Sequence, residues 1–137
     1  MRAARRPFYS GGAKLMPLPG RGAKIDTAAL KARIAGIRQD VHQVQPAAIS
    51  ITNATEYGLA WRAAEIGEIS EIAKGKGMKL HMDGARFANA VAFLGCAPAD
   101  VTWRVGVDAL TFGFTKKWRN DGRGDRLFRR QRRERGT

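Results

Sequence analysis

The spacing of apolar residues along the middle of the chain changes between two periods, and these periods predict alternating strands and helices. Between residues 78 and 82 every second residue is apolar, which is typical of a strand that buries one face. Just before this segment, Ile66, Ile69 and Ile72 recur at helical spacing, so that one stripe of a helix is apolar. The sequence therefore predicts a protein of the α/β class.

The same two periods, together with turn residues, predict the order of elements along the chain. Gly and Pro within residues 10–22 first indicate a loop with short extended pieces. Asp26 or Thr27 is then a candidate N-cap for the first helix, whose apolar stripe includes Ile37 and Val41. The predicted elements are a helix at 27–38, a strand at 47–52, a helix at 62–76, a strand at 78–83, a helix from 87 to a stop at Gly95, a short helix at 98–106 and a strand at 107–114.

The connections between the predicted strands are long enough for helical crossovers, and this predicts right-handed βαβ units and a parallel sheet. The carboxyl ends of parallel strands lie along one edge, where open α/β sheets bind their ligands. Asn53, Asp83 and Lys116 stand at the ends of the three predicted strands. We therefore expect these residues, which are far apart in sequence, at a common rim.

Residues 80–90 place a carboxylate, a flexible turn and a guanidinium where a predicted strand gives way to a helix. Asp83 at this position has two interpretations. It is a candidate ligand-binding carboxylate at the sheet edge, or it is the N-cap of the helix that follows. Arg86 is likewise either a binding group or an ordinary exposed residue of the first helical turn.

The segment Asp83-Gly84-Ala85-Arg86 resembles the Asp-Gly-Ala-Arg motif of threonine aldolases, which are pyridoxal 5′-phosphate (PLP)-dependent enzymes of the fold type I (aspartate aminotransferase) superfamily. The resemblance extends to residues 9–15, 45–56 and 112–116, and it is specific at the Asp-Gly-Ala-Arg and Thr115-Lys116 motifs. It implies a three-layer α/β fold with a central parallel sheet and helices on both faces, as an incomplete PLP-dependent large domain.

The resemblance also implies a reaction and a role for three residues. The family cleaves L-threonine or L-allo-threonine to glycine and acetaldehyde, with PLP taking up the electrons left at Cα. Lys116 corresponds to the Schiff-base lysine, Asp83 to the partner of the pyridine nitrogen and Arg86 to the contact of the substrate carboxylate. Lys117 does not fit the first role, because only Lys116 follows Thr115. No metal site is predicted.

Other residues near the predicted strand ends have mainly structural interpretations. His81 is expected to be a satisfied structural histidine, with a lean toward a bound ring as the alternative. Asn53, Thr55 and Glu56, which match a stretch of the family at a strand end, are expected to shape a loop, with contact to the site as the alternative. Gly84 and Ala85 are small either because the backbone turns close to a ligand or because the helix packs on the sheet there.

The net charge of +13 is concentrated at the two ends of the chain. Residues 1–24 carry six Lys/Arg and no acid, residues 116–137 carry ten Lys/Arg and three acids, and the residues between them carry nine of each sign. With 44% apolar residues overall, the neutral centre can build one modest core. We therefore divide the chain into a basic, loop-rich segment at 1–24, a partial PLP-dependent large domain at 25–116, and a basic, disordered tail at 117–137.

Composition also bears on the compartment and the partners. Cys96 is the single cysteine, which excludes an internal disulfide, so a reducing cytoplasm is expected. The sequence contains no run of about eighteen apolar residues that would predict a membrane span. The resemblance implies an amino acid substrate and a homo-oligomer, either dimer or tetramer. The alternative function is nucleic-acid binding, or another interaction, through the Arg-rich run at 129–135, with Trp118 and Phe128 stacking on bases.

The sequence departs from the family pattern directly after Lys116. Family members are much longer and continue Thr-Lys-Asn-Gly, whereas this chain continues Lys117-Trp118-Arg119-Asn120. Removal of one adenine nucleotide from codons that can encode these four residues restores the family sequence Asn-Gly. We therefore interpret residues 117–137 as the product of a reading-frame slip. We expect the chain to be an internal fragment that is poorly active or inactive by itself.

Overall fold

The structure is a computed structural model, and it describes residues 14–40 and 42–113 of the 137-residue chain. Within these two ranges no helix is both long enough and apolar enough to cross a membrane. The elements are β1 (Gly20–Arg21), β2 (Lys24–Ile25), α1 (Thr27–Ala35), β3 (Ala48–Thr52), α2 (Ala63–Lys74), β4 (Lys79–Gly84), α3 (Phe87–Leu94), two 3₁₀ helices (Pro98–Val101 and Trp103–Val105) and β5 (Ala109–Phe112).

Strands β3, β4 and β5 form a parallel sheet in that spatial order, which confirms the predicted parallel sheet. The register pairs Asp83 with Thr52 on one side and with Thr111 on the other. Strands β1 and β2 form a separate two-residue antiparallel pair. The first of these two strands lies within the segment that was predicted as loop with short extended pieces.

The larger of two apolar clusters in the described residues holds the sheet and helices together, and it lies on a single face of the sheet. Its members come from the strands and from all three α-helices, and they include Leu30, Ile49, Ile51, Ile66, Ile69, Leu80, Met82 and Phe87. Each fully buried Ile or Leu side chain stabilises the fold by about 1.5–3 kcal/mol relative to an exposed one.

The position of the helices follows from the strand order. The three strands are arranged in chain order without a reversal, so right-handed crossovers carry both connections over the same face. The opposite face presents exposed residues that include Ser50, Lys79 and Ala109. In the described residues the helices therefore cover one face of the sheet, whereas the resemblance implied helices on both.

Helix α1 begins as predicted and ends three residues earlier than predicted. The Asp26 carboxylate accepts hydrogen bonds from two main-chain N–H groups of the first turn, at 2.8 and 3.1 Å. The helix ends at Ala35 because Gly36, a poor helix former, takes the C-cap position and Ile37 then lies outside the helix. Val41, which was predicted on the same stripe, lies outside the described residues.

The segment between Pro98 and Gly106 forms two 3₁₀ helices instead of one short helix. The break is at Thr102, whose φ of −133° and ψ of −110° are not helical. The Thr102 hydroxyl donates a hydrogen bond to the Pro98 carbonyl at 2.6 Å, which stabilises the first of the two turns. β5 then occupies Ala109–Phe112, and Phe114, which was predicted in this strand, lies outside the described residues.

Candidate active site

Asp83 lies at the carboxyl end of the central strand, where the sheet edge and the following helix meet. It is the last residue but one of β4 and is half-buried. One carboxylate oxygen, Oδ1, accepts a hydrogen bond from the main-chain N–H of Ala85 at 3.0 Å. Among the described residues the second oxygen, Oδ2, accepts no hydrogen bond. Asp83 thus offers a fixed carboxylate with one oxygen available for a ligand.

The alternative interpretation of Asp83 as a helix cap is wrong. Helix α3 begins at Phe87 and its N-cap position is occupied by Arg86, three residues after Asp83. The Asp83 carboxylate instead closes a turn between strand and helix through its bond to Ala85. A carboxylate held in this way by a turn keeps its direction relative to the sheet.

Arg86 lies at the start of α3, on the same strand-to-helix connection as Asp83. Its side chain is half-buried, and within residues 14–40 and 42–113 the guanidinium makes no ion pair and no hydrogen bond. Its carbonyl oxygen accepts hydrogen bonds from Asn89 and Ala90, which fix the first turn of the helix. Arg86 is therefore an anchored cation whose charge the described part of the chain leaves available.

The face of the sheet that carries Asp83 is the one that the helices leave open. Leu80 and Met82 point to the buried face, so the alternation of the strand places His81 and Asp83 on the other. The register places Thr52 and Thr111 on this open face, on either side of Asp83. The rim around the carboxylate is therefore polar.

Gly84 is required by close packing between strands. A Cβ atom on this residue would lie 2.8 Å from the Leu110 Cδ1 atom and 2.8 Å from the Thr111 carbonyl oxygen. A Cβ on Gly113 would lie 3.2 Å from the Cα of Ala85, so the two chain segments approach closely on this edge. The sequence offered two explanations for the small residue, a close approach to a ligand and packing of the helix on the sheet. The structure favours packing, and Gly84 packs against β5 as well as against α3.

The loop after β3 is shaped by two of the three residues predicted to shape it. Both hydrogen-bonding atoms of the fully buried Asn53 side chain bond to the main chain of Trp61. The Thr55 hydroxyl accepts a hydrogen bond from the Leu59 N–H at 3.1 Å, and the Thr55 N–H donates to the Leu59 carbonyl at 2.8 Å. The loop-shaping role is confirmed for Asn53 and Thr55, while Glu56 is exposed.

One cluster beside the loop was not predicted from the sequence. The Lys24 ammonium pairs with the Glu65 carboxylate at 2.7 Å and lies 5.4 Å from the centre of the Trp61 ring. Trp61 is 2% exposed, and its indole N–H has no partner among the described residues. Lys24 is distant from the other two residues in sequence and has no characteristic spacing to them, so no local pattern indicated the cluster.

Glu65 connects this cluster to the start of α2. Burial alone would raise the pKa of the Glu65 carboxyl, but a hydrogen bond from the Arg62 N–H, together with the hydrogen bond and charge of Lys24, holds the pKa below its usual value. The Arg62 N–H lies 2.7 Å from Glu65 Oε2. The carboxylate therefore satisfies a main-chain donor of the helix N-terminus and tethers the β2 strand to it.

Lys116, the third predicted site residue, lies outside the described residues. The last residue of β5, Phe112, pairs with Gly84, which follows Asp83 directly. The structure thus places Asp83 and Arg86 on one strand-to-helix connection, and the role of Lys116 stays a prediction.

Comparison with known proteins gives this rim its context. The sequence model of the Beta-eliminating lyase family matches residues 2–119. Two proteins named low specificity L-threonine aldolase, from Pseudomonas sp. (strain NCIMB 10558) and from Pseudomonas aeruginosa, are each 44% identical to this chain over 90% of its length. The aligned regions are 36% and 35% of these relatives, so the chain spans about a third of their length.

A solved structure gives the same result at the level of the fold. The threonine aldolase of Leishmania major is 32% identical to this chain, with a TM-score of 0.55 over 59% of this chain and 23% of that one. The predicted fold class, part of a PLP-dependent fold type I domain with a parallel sheet, is confirmed by this likeness. None of these comparisons favours the alternative of nucleic-acid binding.

Proposed function

Because the chain belongs to the Beta-eliminating lyase family, we propose that its rim is part of the active site of a PLP-dependent threonine aldolase. The proposed reaction is the cleavage of L-threonine or L-allo-threonine to glycine and acetaldehyde. The relatives of 44% identity that bear the name L-threonine aldolase support this substrate class. We propose further that the enzyme is cytoplasmic and acts as a homo-oligomer.

The observation that carries the proposal is the presence, on one strand-to-helix connection, of two charged groups that make no ion pair within the described residues. Asp83 presents one carboxylate oxygen without a partner among the described residues, and the Arg86 guanidinium is likewise unpaired there. A protonated pyridine nitrogen needs an acceptor of this kind, and an amino acid carboxylate needs a cation. The donor set therefore fits PLP together with an amino acid substrate.

Each residue has a distinct task in this proposal. Bound PLP supplies the electron sink that the breaking Cα–Cβ bond of a 3-hydroxy amino acid requires. Asp83, held in direction by Ala85, keeps a proton on the ring nitrogen by accepting a hydrogen bond from it. Arg86 binds the substrate carboxylate, with two parallel N–H donors available for its two oxygens. Lys116 would hold the cofactor through a covalent bond between its amine and the aldehyde carbon.

Reductive labelling tests the cofactor and the lysine together. The full chain is first incubated with PLP and then treated with sodium borohydride, which reduces the imine between the cofactor and a lysine to a stable amine, and the labelled peptide is identified by mass spectrometry. We expect the label on Lys116, its loss in Lys116→Ala and its retention in Lys117→Ala. A label distributed over surface lysines, unaffected by Lys116→Ala, would overturn the proposal.

Turnover is a separate question, and we expect it to be weak or absent for the 137-residue chain. In the described residues the sheet face that carries Asp83 is open, so water has access to the groups that must act on the substrate. Acetaldehyde release from L-threonine, measured with added PLP, checks this expectation. Release that Lys116→Ala abolishes would contradict the expected inactivity and would support the proposed chemistry.

A further inference from the structure

Asn53 follows β3 directly and connects that strand to the carboxyl end of β4. Its main-chain N–H donates a hydrogen bond to the Asp83 carbonyl at 3.0 Å, which extends the parallel ladder one residue beyond Thr52. Asp83 is therefore held on two sides. Asn53 binds its carbonyl oxygen, while Ala85 binds its carboxylate.

The side chain of Asn53 keeps this link in place. Its Oδ1 atom accepts a hydrogen bond from the Trp61 N–H at 3.0 Å, and its Nδ2 atom donates one to the Trp61 carbonyl at 3.3 Å. Asn53 is 0% exposed and Trp61 is 2% exposed, so water does not compete for these bonds. The amide thus pairs with the Trp61 main chain as a neighbouring strand would.

An amide is the group that suits this position, because the main chain of Trp61 presents one donor and one acceptor. Alanine would leave both groups buried without partners. An ionised aspartate would offer acceptors alone, and one of its oxygens would face the Trp61 carbonyl. A neutral aspartic acid would offer one donor and one acceptor, as asparagine does.

We infer that Asn53 is a positioning residue for Asp83. Through its bonds to Trp61 and to the Asp83 carbonyl, Asn53 fixes the direction of the Asp83 carboxylate. The importance of that direction rests on the proposed function, in which Asp83 binds the cofactor ring. The link itself is a property of the chain without cofactor, and it is tested without cofactor.

Amide hydrogen exchange in the full chain, followed by NMR, reports the link at one residue. The Ala85 N–H, which is bonded to the Asp83 carboxylate, is compared with the Leu80 N–H, which is bonded to the Asp108 carboxylate at 2.9 Å near the other end of β4. In Asn53→Ala we expect Ala85 to exchange about tenfold faster, while Leu80 changes much less. Equal acceleration at both amides would mean a general loss of stability, and no acceleration at Ala85 would mean no link. Either result overturns the inference.

Asn53→Asp gives a pH-dependent version of the same test. Burial favours the neutral acid, which can replace both bonds to Trp61, whereas ionisation removes the donor. The ratio of the Ala85 protection factor in this variant to that of wild type at the same pH is expected to approach one at acidic pH and to fall as the introduced acid ionises. A protection factor that stays low at every pH at which the protein folds would contradict the proposed bonding.

Thr55→Val is the matched control, because Thr55 is buried in the same loop and its hydroxyl bonds to Leu59 and not to a strand of the rim. We expect Ala85 protection to be unchanged in Thr55→Val. Acceleration as large as in Asn53→Ala would assign the effect to the loop in general and overturn the role of Asn53. Because no measurement here uses PLP, failure of the cofactor labelling would leave this test intact.

Discussion

The Oγ atom of Ser50 and the Nδ1 atom of His81 lie 2.8 Å apart on the open face of the sheet. The two residues are register partners on β3 and β4, and His81 stands two residues before Asp83 on the same strand. The imidazole thus has a hydrogen-bonding partner within the sheet, as expected for a structural histidine. Its orientation follows from the pairing of two strands and does not require a bound ring.

Removal of the Ser50 hydroxyl should therefore affect stability and not the cofactor. We expect Ser50→Ala to lower the free energy of unfolding by about 0.5–1.5 kcal/mol, the usual net value of one hydrogen bond, as measured by urea denaturation. Labelling of Lys116 by PLP should be unchanged both in this variant and in His81→Asn. Loss of the label in His81→Asn, with the fold intact, would show that His81 contacts the cofactor.

Gly84→Ala should destabilise the sheet edge strongly. The added Cβ would lie 2.8 Å from the carbonyl oxygen of Thr111, which belongs to the backbone of β5 and cannot move without disturbing the strand pair. We expect a loss of about 1–3 kcal/mol in the free energy of unfolding, measured by urea denaturation.

Gly67→Ala is the control for that substitution. Gly67 lies within α2 and a Cβ there meets nothing within 4 Å, so the same change should stabilise the helix by about 0.5–1 kcal/mol. Opposite signs for the two glycines are the expected result. A neutral Gly84→Ala would mean that β4 and β5 are more loosely packed than the structure indicates.

The elements that the sequence predicts well are those set by local periodicity. The alternation from Leu80 to Asp83 and the stripe of Ile66 and Ile69 are read within one element, and the long connections between strands leave parallel pairing as the natural arrangement. Ends of helices were less certain because they depend on one residue, as at Gly36, where a cap replaces another turn.

The contacts that the sequence did not predict join residues distant along the chain. The ion pair of Lys24 with Glu65 and the bonds between the Asn53 amide and Trp61 depend on how the loops pack, and neither has a characteristic spacing. The motif around Asp83 was found because its residues are contiguous and resemble a known family. The order of the strands determines that the helices cover one face of the sheet, and hydrophobic periodicity does not specify that order.

Glu65 should make stability depend on pH in the acid range. Its pKa is lowered in the folded protein from an ordinary value of 4.5, so its contribution to stability is present above that value and is lost as the pH falls through the lowered folded pKa. Glu65→Gln keeps an acceptor for the Arg62 N–H but removes the charge. The difference in urea midpoint between wild type and Glu65→Gln should be largest near neutral pH and should shrink as the pH falls below 4.5 and through the lowered folded pKa.

A control for this pH dependence is Glu68→Gln, because Glu68 lies on the same helix and its carboxylate is 4.0 Å from the Lys31 ammonium on the exposed surface. We expect a smaller difference from wild type for this variant at every pH. A difference between wild type and Glu65→Gln that stays constant from neutral pH into the acid range would contradict the assigned role of the Glu65 charge.

Arg86 should determine how tightly the amino acid binds, independently of how the cofactor is held. Titration of L-threonine into the full chain with PLP, followed by the visible absorbance of the bound cofactor, measures this. Charge-assisted hydrogen bonds contribute about 1.5–3 kcal/mol, so Arg86→Gln should raise the half-saturating threonine concentration roughly 10- to 100-fold while Lys116 is still labelled. Arg86→Lys keeps the charge but loses the paired donors, so its half-saturating threonine concentration should lie between those of wild type and Arg86→Gln.

Arg104→Gln is the control for this titration, because Arg104 already pairs with Asp100 at 2.7 Å. Unchanged half-saturation in Arg86→Gln would move the carboxylate contact to another residue.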